Sequence, residues 1–319
     1  MKFLVTGANG FVGTALCGAL MQRQIKVRAA SRSQLAIDSA TEQTIIDTFD
    51  NEHALQDAVK EIDVVVHLAA RVHVMHDNAV DPLEAFCKTN VDGTLKLAQF
   101  AIAAGVKRFV YVSSIKVNGE ATEYAAFNEL TLVNPQDAYA LSKHRAENAL
   151  LALAKTSSME VVIVRPPLVY GENVRANFLS LLKVVYRAYP LPLKAINNKR
   201  SMIYLGNLVD ALITCATDPK AANQTFLVSD GDDVSTPEVI TYLAEALNKP
   251  DRLWRASPNV LGFAAKIAGK YPAFQRLNQS LVIDSSKIQC TLNWVPPYTV
   301  KQGLQRTADW FIATQKKCL

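Results

Sequence analysis

A glycine-rich turn directly behind the first apolar run places the strongest constraint on the fold. The stretch Thr6-Gly-Ala-Asn-Gly-Phe-Val-Gly13 follows a strand-like run at 3–5 and opens a helical pattern that extends to about Arg23. Glycines at this spacing permit a tight turn, close approach of the backbone to a diphosphate, and close helix–strand packing. The helix N-terminus adds free N–H groups and a positive dipole end. We therefore expect a dinucleotide site, with a ligand-free glycine turn as the alternative. Its residues are Gly7, Asn9, Gly10, Phe11, Val12 and Gly13.

Short β-branched runs alternate with helical patterns through the first half of the chain. Strands are expected near 3–5, 26–30, 44–46, 63–67, 109–112 and 161–164, and helices near 11–23, 82–104 and around Tyr139. Near-continuous Val/Ile runs separated by helices are typical of parallel strands buried on both faces. The pattern predicts an α/β fold, a doubly wound parallel (Rossmann) sheet, with 1–165 as the dinucleotide-binding domain. Prolines interrupt the pattern afterwards, so 166–319 is expected to be a smaller, mixed α/β, mainly substrate-binding domain. A strand near 224–228 is expected to return to the main sheet.

Composition excludes several classes of protein. The net charge of +5 over 319 residues comes with only short basic clusters, none interleaved with aromatic residues, which argues against nucleic-acid binding. Five scattered cysteines without a CxxC pair predict reduced thiols in the cytoplasm. No run reaches the ~20 apolar residues of a membrane span, so no integral membrane segment is expected. The apolar segment 258–269 is interpreted as a packed helix, with contact to a membrane surface as the alternative.

The end of the second strand bears on the choice of cofactor. A carboxylate there binds the adenosine ribose, whereas an arginine accommodates a 2′-phosphate. The sequence has no acid there; Ser31 and Arg32 follow, with Arg28 as a further candidate, and favour NADP(H), while NAD(H) stays open. Asp47, after the third strand, is expected to accept from the adenine amine or to cap a helix. The fourth strand is followed by Leu68, Ala69 and Ala70, which are small residues at the place where the backbone would pass the cofactor.

Tyr139 and Lys143 stand four residues apart in a helical pattern, and therefore on one helix face. A free phenol titrates near ~10, too high for a base at neutral pH. A neighbouring ammonium favours the phenolate, so we expect Lys143 to lower the pKa of Tyr139. Alone the pair also fits an aromatic ring and a lysine stem packed on a helix. Together with the glycine turn and a serine pair at a strand end, it predicts acid–base chemistry.

These blocks, taken together, resemble the extended short-chain dehydrogenase/reductase superfamily, in its nucleotide-sugar epimerase/dehydratase branch. The matching segments cover nearly the whole chain: TGANGFVG (6–13), HLAA (67–70), NVDGT (90–94), FVYVSSIKVNG (109–119), YALSK (139–143), RPPLVYG (165–171), RSMIYLGNLVDA (200–211) and LNWVPPYTVKQGL (292–304). Within the branch, the segments at 67–75, 113–120 and 229–231 look most like proteins of bacterial surface-polysaccharide clusters. These include 4-keto reductases that form UDP-N-acetylquinovosamine and relatives labelled UDP-glucose 4-epimerases.

The resemblance implies a bound nicotinamide cofactor, a UDP-sugar substrate and, commonly in this family, a homodimer formed through two helices. It implies that Ser114, with Ser113 beside it, donates to a sugar oxygen, that Tyr139 is the acid/base, and that Lys143 supports it and binds the nicotinamide ribose. The residues implied at the remaining positions are Pro166 for the cofactor and Asn177, Arg200 and Arg276 for the substrate. The chain departs from the pattern at Asn118, at Ile115-Lys116 and at the acid-free second strand.

Two reactions fit this set of residues. The favoured hypothesis is NADPH-dependent reduction of a UDP-4-keto-6-deoxy-N-acetylhexosamine for surface-polysaccharide synthesis. The alternative is a UDP-glucose or UDP-N-acetylglucosamine 4-epimerase with tightly bound NAD. Both would use Ser114, Tyr139 and Lys143. Because His67, His73 and His76 have no acidic partner at ligand spacing, no metal site is predicted.

Overall fold

The computed structural model describes residues 1–34, 41–72 and 81–316. Nine strands occur in these residues: β1 (Lys2–Thr6), β2 (Lys26–Ser31), β3 (Glu42–Ile45), β4 (Val64–His67), β5 (Arg108–Val112), β6 (Glu160–Arg165), β7 (Leu168–Tyr170), β8 (Met202–Tyr204) and β9 (Thr225–Leu227).

The same residues form twelve α-helices. They are α1 (Phe11–Gln22), α2 (Glu52–Val59), α3 (Pro82–Cys87), α4 (Thr94–Ala103), α5 (Ala138–Lys155), α6 (Ala176–Tyr186), α7 (Leu205–Thr217), α8 (Thr236–Ala246), α9 (Pro258–Ile267), α10 (Tyr271–Asn278), α11 (Ser286–Leu292) and α12 (Val300–Lys316). No helix in the described ranges combines the length and the apolar character needed to cross a bilayer.

Seven strands form one parallel sheet in the order β3-β2-β1-β4-β5-β6-β9. The predicted doubly wound Rossmann fold is confirmed. Strand order reverses between β1 and β4, and in such sheets ligands bind beyond the carboxyl ends of the strands at this switch point. The last strand, β9, comes from the second half of the chain and pairs with β6. A separate two-stranded sheet joins β7 to β8.

Alternate residues of the central strands enter two different cores. In β1, Phe3 and Val5 pack with α1 and α7 on one face, whereas Leu4 packs with α2, α4 and α5 on the other. This alternation follows from the two-residue period of a strand. A third core joins α6, α8 and α12 in the second half. A fourth, smaller cluster joins Ile115 and Leu227, at the carboxyl ends of β5 and β9, to Leu281 and Ile283.

The helix expected over 82–104 is interrupted. Residues Lys88–Gly93 form a π-helical turn between α3 and α4. This wider turn contains Asn90, whose buried side-chain amide donates to Ser142 Oγ of α5 at 2.9 Å. Single π turns inside helices often accompany functional sites. The hydrophobic pattern did not reveal the turn, because the contacts that stabilise it come from distant segments.

Candidate active site

The glycine turn between β1 and α1 lies against the end of β4. Gly7 has a φ of +68°, and a Cβ there would lie 2.9 Å from the backbone nitrogen of Ala69. A Cβ on Gly13 would lie 2.8 Å from the Cα of Ala8 and closer still to the Gly7 carbonyl oxygen. Gly7 is therefore required by backbone conformation and contact with β4, and Gly13 by contact between α1 and the turn.

The N-terminus of α1 is open at Gly10. A Cβ on Gly10 would meet the Gly7 carbonyl oxygen at 3.0 Å and no other non-neighbouring atom of the described chain within 4 Å. No described side chain caps α1; Asn9 and Gly10 are exposed, and Phe11 and Val12 are partly buried. The first N–H groups of the helix are thus available to an anion. The turn fits the diphosphate of a dinucleotide.

The end of β2 carries an exposed arginine. Arg32 lies just past the strand and is solvent-exposed, whereas Ser31 is buried and its hydroxyl donates to the Ser33 carbonyl. Arg28, a further candidate for a 2′-phosphate, is instead buried and donates to Glu42 Oε1 at 2.6 Å and to backbone carbonyls at the end of α2. The interpretation of Arg28 as a phosphate ligand is therefore wrong, because its donors are already engaged.

The other predicted cofactor residues lie at the ends of neighbouring strands. Asp47, after β3, is exposed and accepts from Asn51 Nδ2 at 3.3 Å; Asn51, not Asp47, caps α2. Leu68, Ala69 and Ala70 follow β4 and are partly buried. Pro166 is buried just after β6, and its carbonyl accepts from Ile115 N at 3.0 Å. Carboxyl ends of parallel strands meet at one edge, so these residues share the edge that holds the glycine turn.

Tyr139 and Lys143 lie on α5, which begins after Asp137, whose carboxylate accepts from Ala140 N at 2.7 Å. Lys143 is buried, and its Nζ donates to the Val112 carbonyl at 2.8 Å and lies 5.9 Å from the centre of the Tyr139 ring. The bond to Val112 fixes the pair at the carboxyl end of β5. The helical i, i+4 spacing thus brings ammonium and phenol to one point of the sheet edge.

Burial sets the pKa of both groups. It lowers the pKa of Lys143 from 10.5 to about 7, although Glu147 opposes the change. Burial, together with the charge of Asp137, raises the pKa of Tyr139 from 10.0 to about 12. The expected lowering of the phenol pKa is therefore wrong for the protein without ligands. A lysine that is itself easily deprotonated gives the phenolate little support.

The two serines at the end of β5 have different surroundings. Ser114 is partly buried, and its Oγ accepts from Lys116 N at 3.2 Å at the start of a 3₁₀ turn over Ile115–Val117. Ser113 is buried, and its Oγ has no hydrogen-bond partner in the described part of the chain. Ser114, two residues beyond Val112, is the more accessible hydroxyl at this edge.

Lys116 joins the serine turn to the tyrosine helix. Its Nζ donates to Asp137 Oδ2 at 2.7 Å and to Glu120 Oε1 at 2.8 Å. At the sequence level this lysine was only a departure from the family pattern. Asn118, another departure, is buried and accepts from Arg165 Nη1 at 3.0 Å. Both residues stabilise the loop that carries Ser114.

A second link to α5 comes from Asn90. Its amide donates to Ser142 Oγ at 2.9 Å and to the Arg71 carbonyl at 3.0 Å, while Ser142 Oγ donates to the Tyr139 carbonyl at 2.7 Å. The chain of bonds ties the π-helical turn to the backbone of Tyr139. Asn90 belongs to the NVDGT block, and the sequence alone predicts no role for it.

The structure brings Arg200 and Arg276 together from positions 76 residues apart. Arg200 is partly buried and its Nη1 donates to the Arg276 carbonyl at 3.0 Å and the Gln279 carbonyl at 3.1 Å. Burial, and then the charge of Arg276, lowers the pKa of Arg200. Two guanidinium groups close together form a site for a multiply charged anion. Asn177 is exposed in the first turn of α6 rather than in a loop.

A strip at 280–284 connects this cation pair to the serine loop. Leu281 N donates to the Lys199 carbonyl at 2.9 Å, and Phe127 N donates to the Val282 carbonyl at 2.8 Å. Residue 127 follows the serine turn, and Arg200 follows residue 199. The strip at 280–284 therefore pairs on one side with the segment that leads into Arg200 and on the other with the segment that follows the serine turn.

Of the three histidines considered as metal ligands, His67 lies in the described residues, where it is buried and neutral. Its Nδ1 lies 2.7 Å from Thr6 Oγ1 and its Nε2 3.0 Å from Thr94 Oγ1. Burial, and then the charge of Lys143, lowers its pKa from 6.5 to about 3. His73 and His76 lie outside the described residues. Within residues 1–34, 41–72 and 81–316 no three His, Cys, Asp or Glu side chains are grouped to hold a metal ion.

Comparison with known proteins identifies the family. The family model described as "NAD dependent epimerase/dehydratase family" matches residues 3–229. The chain belongs to this family. UDP-glucose 4-epimerase of Vibrio cholerae is 44% identical to it over 99% of this chain and 97% of that protein. N-acetyl-α-D-glucosaminyl-diphospho-ditrans,octacis-undecaprenol 4-epimerase of Escherichia coli O157:H7 is 28% identical over 98% of this chain and 96% of that protein.

Solved structures of epimerase/dehydratase enzymes have the same fold. UDP-glucose 4-epimerase of Thermotoga maritima, solved with UDP-glucose, superposes with a TM-score of 0.80 at 20% identity and covers 99% of this chain and 100% of that chain. The resemblance to extended short-chain dehydrogenases/reductases is therefore confirmed, and the protein is an NAD(P)-dependent nucleotide-sugar enzyme of this type.

Proposed function

We propose that this enzyme transfers hydride at C4 of a UDP-activated hexose or N-acetylhexosamine and acts as a 4-epimerase. The observation that carries the proposal is the bond from Lys143 Nζ to the Val112 carbonyl. It holds the Tyr139–Lys143 pair at the end of β5, two residues before Ser114 and at the edge where β1 enters the glycine turn. The name of the Vibrio cholerae relative favours epimerisation over net reduction.

Tyr139 would move the proton of the C4 oxygen. With a pKa of about 12 its phenol is protonated at neutral pH, which is the form that donates to a sugar carbonyl. In the opposite direction, the phenol must lose its proton. The ammonium form of Lys143, which its lowered pKa of about 7 leaves only partly populated at neutral pH, would stabilise the phenolate one helical turn away.

Ser114 would donate to the same oxygen as charge grows on it. A fixed hydroxyl donor of this kind typically contributes ~10²–10³ in rate. Ser113 would not contact the sugar, since it is buried whereas Ser114 is partly accessible. The Lys116 link to Asp137 would keep the serine turn and α5 in a fixed relation.

The sheet edge fits a dinucleotide. A bound nicotinamide supplies the hydride acceptor and donor. The turn at 7–13 would hold the diphosphate, Lys143 the nicotinamide ribose and Asp47 the adenine. The remaining contacts would come from Tyr139, Ser31, Arg32, Leu68, Ala69, Ala70 and Pro166.

Arg200 and Arg276 would bind the UDP diphosphate, with Asn177 as a further polar contact. A guanidinium fork matches phosphate oxygens, and the bonds of Arg200 to two carbonyls hold one side of its fork in place. The family resemblance also implies a homodimer formed through two helices. Light scattering on the purified protein gives its mass directly and tests this part separately.

The experiment that tests the main proposal is an assay of purified protein with UDP-glucose, UDP-galactose and the corresponding UDP-N-acetylhexosamines. Interconversion of a C4 pair without net change in nicotinamide absorbance is expected. If none of these stable sugars is converted while a UDP-4-keto-6-deoxy-N-acetylhexosamine consumes NADPH stoichiometrically, the epimerase proposal is wrong.

The second candidate function is NADPH-dependent reduction of a UDP-4-keto-6-deoxy-N-acetylhexosamine for surface-polysaccharide synthesis. The observation in its favour is exposed Arg32 at the acid-free end of β2, which suits a 2′-phosphate. Arg32→Ala should raise the KM for NADPH at least tenfold and leave that for NADH unchanged. Arg23→Ala is the control, since Arg23 pairs with Asp210 instead. Equal effects of Arg32→Ala on both cofactors would remove this support.

A further inference from the structure

The hairpin of α9 and α10 has an apolar outer face. Val260, Phe263 and Ile267 are 64%, 67% and 75% exposed, and their spacing places them on one face of α9. Gly262 is the buried residue of α9, and no residue of α10 is buried. Three large apolar side chains on one helix face form a patch rather than the scattered exposure usual on soluble proteins.

The inner side of the hairpin explains why it keeps its shape. Leu261 and Leu277 pack against the core of the second half, and Gly262 lies against Phe274, where a Cβ would be 3.1 Å from the ring. Gly269, with a φ of +64°, makes the turn between the helices. The outer face is therefore presented by a packed element.

The basic excess of the whole chain lies in and beside this hairpin. Six of the 34 basic residues and one of the 29 acidic residues lie between 249 and 280. The other 28 of each sign balance, so this segment carries a net charge of +5, equal to that of the chain. Lys266, Lys270 and Arg276 are exposed on the hairpin itself, and Arg252 and Arg255 are exposed just before it.

We propose that the α9–α10 hairpin docks this enzyme on an anionic lipid bilayer. Val260, Phe263 and Ile267 insert among the head groups, and Lys266 and Lys270, with Arg252 and Arg255, contact lipid phosphates. Apolar side chains flanked by cations on a short amphipathic helix are the features of helices that lie in a membrane interface. Charge complementarity selects the lipid surface over a second copy of the chain, whose same face would be equally positive.

Docking would bring the Arg200–Arg276 pair near the surface, since Arg276 belongs to α10 and its carbonyl holds Arg200. This consequence rests on the proposed function, whereas docking itself does not.

The test is co-sedimentation of the full chain with vesicles of equal parts phosphatidylglycerol and phosphatidylcholine, compared with pure phosphatidylcholine. Binding to the anionic vesicles alone is expected, weakening as salt is raised. Lys266→Gln with Lys270→Gln should weaken it roughly 25-fold, at about fivefold per charge. The matched control is Lys107→Gln with Lys220→Gln, two exposed lysines elsewhere.

Apolar insertion is tested by Phe263→Ser with Ile267→Ser. Binding should fall at least tenfold, whereas Leu132→Ser with Val295→Ser, which removes two other exposed apolar side chains, should leave binding unchanged. Turnover of UDP-sugar without vesicles should be the same in all four variants, which separates docking from the proposed function. The inference is overturned if wild type ignores anionic vesicles, if the controls weaken binding equally, or if Phe263→Ser with Ile267→Ser instead dissociates a dimer.

Discussion

Among single residues, Lys143 shows how a functional group costs stability. It is buried with one hydrogen bond to a carbonyl, and its folded-state pKa of about 7 lies below the ordinary 10.5. The unfolded chain therefore binds the proton more tightly than the folded protein does. The destabilisation is complete below pH 7 and disappears as the pH rises from 7 to 10.5.

Lys143→Met should therefore stabilise the ligand-free protein at pH 6. The lowered pKa corresponds to roughly 5 kcal/mol, from which the unpaired Val112 carbonyl subtracts about 1–3 kcal/mol. We expect a gain of the order of 2 kcal/mol that declines as the pH is raised towards 10. Urea unfolding at a series of pH values measures it. Lys155→Met, an exposed lysine of the same helix, should show no such pH dependence. A difference that is constant with pH would contradict the account.

The residue scale also shows where sequence reasoning stops. Spacing alone placed Tyr139 and Lys143 on one helix face, because a helix has a fixed period. It did not reveal that burial would raise the phenol pKa, since burial depends on what the rest of the chain packs around α5. The roles of Lys116 and Asn118 were missed for the same reason: their partners come from other segments.

Among the elements, α1 and its glycine turn depend most on the absence of a side chain. A Cβ at Gly13 would lie 2.8 Å from the Cα of Ala8, whereas one at Gly18 of the same helix would meet nothing within 4 Å. Alanine at position 13 therefore tests close packing, whereas alanine at position 18 tests helix propensity alone.

Gly13→Ala should destabilise the protein by roughly 1–3 kcal/mol, the usual cost of overpacking, and weaken dinucleotide binding. Gly18→Ala should be neutral or stabilising by up to about 1 kcal/mol, because alanine is the better helix former. Denaturation midpoints and dinucleotide titration measure both effects. Equal behaviour of the two variants would show that the turn is not constrained as described.

Elements with strong local patterns were predicted well, and those that depend on remote contacts were not. The strands at the sheet centre and α5 follow from apolar periodicity. The π-helical turn at Lys88–Gly93 does not, because it is stabilised by the distant contacts of Asn90 with Ser142 and Arg71.

At the scale of the whole molecule, the main sheet is built from both halves of the chain. Strand β9 pairs with β6, and α7 packs beside α1 over one face of the sheet. The proposed division at residue 165 therefore does not coincide with a division between cores. The proximity of Arg200 and Arg276 also depends on the fold of the whole molecule. The sequence suggested a shared role for the two arginines only through the family resemblance.

Shared cores predict one cooperative unfolding transition. All three tryptophans, Trp254, Trp294 and Trp310, lie in the second half, so their fluorescence reports that half, whereas far-ultraviolet circular dichroism reports the whole chain. The two urea transitions should coincide. A fluorescence transition at clearly lower urea than the dichroism transition would show that the halves unfold independently.

The most direct test of the central claim is the turnover of Tyr139→Phe. If Tyr139 moves the proton of the C4 oxygen, the variant should keep its far-ultraviolet spectrum and its dinucleotide affinity and lose ~10²–10⁴ of its rate in interconverting a UDP-sugar C4 pair. Tyr124→Phe, at a fully exposed tyrosine, should turn over like wild type. Wild-type turnover by Tyr139→Phe would contradict the assignment of the acid–base group.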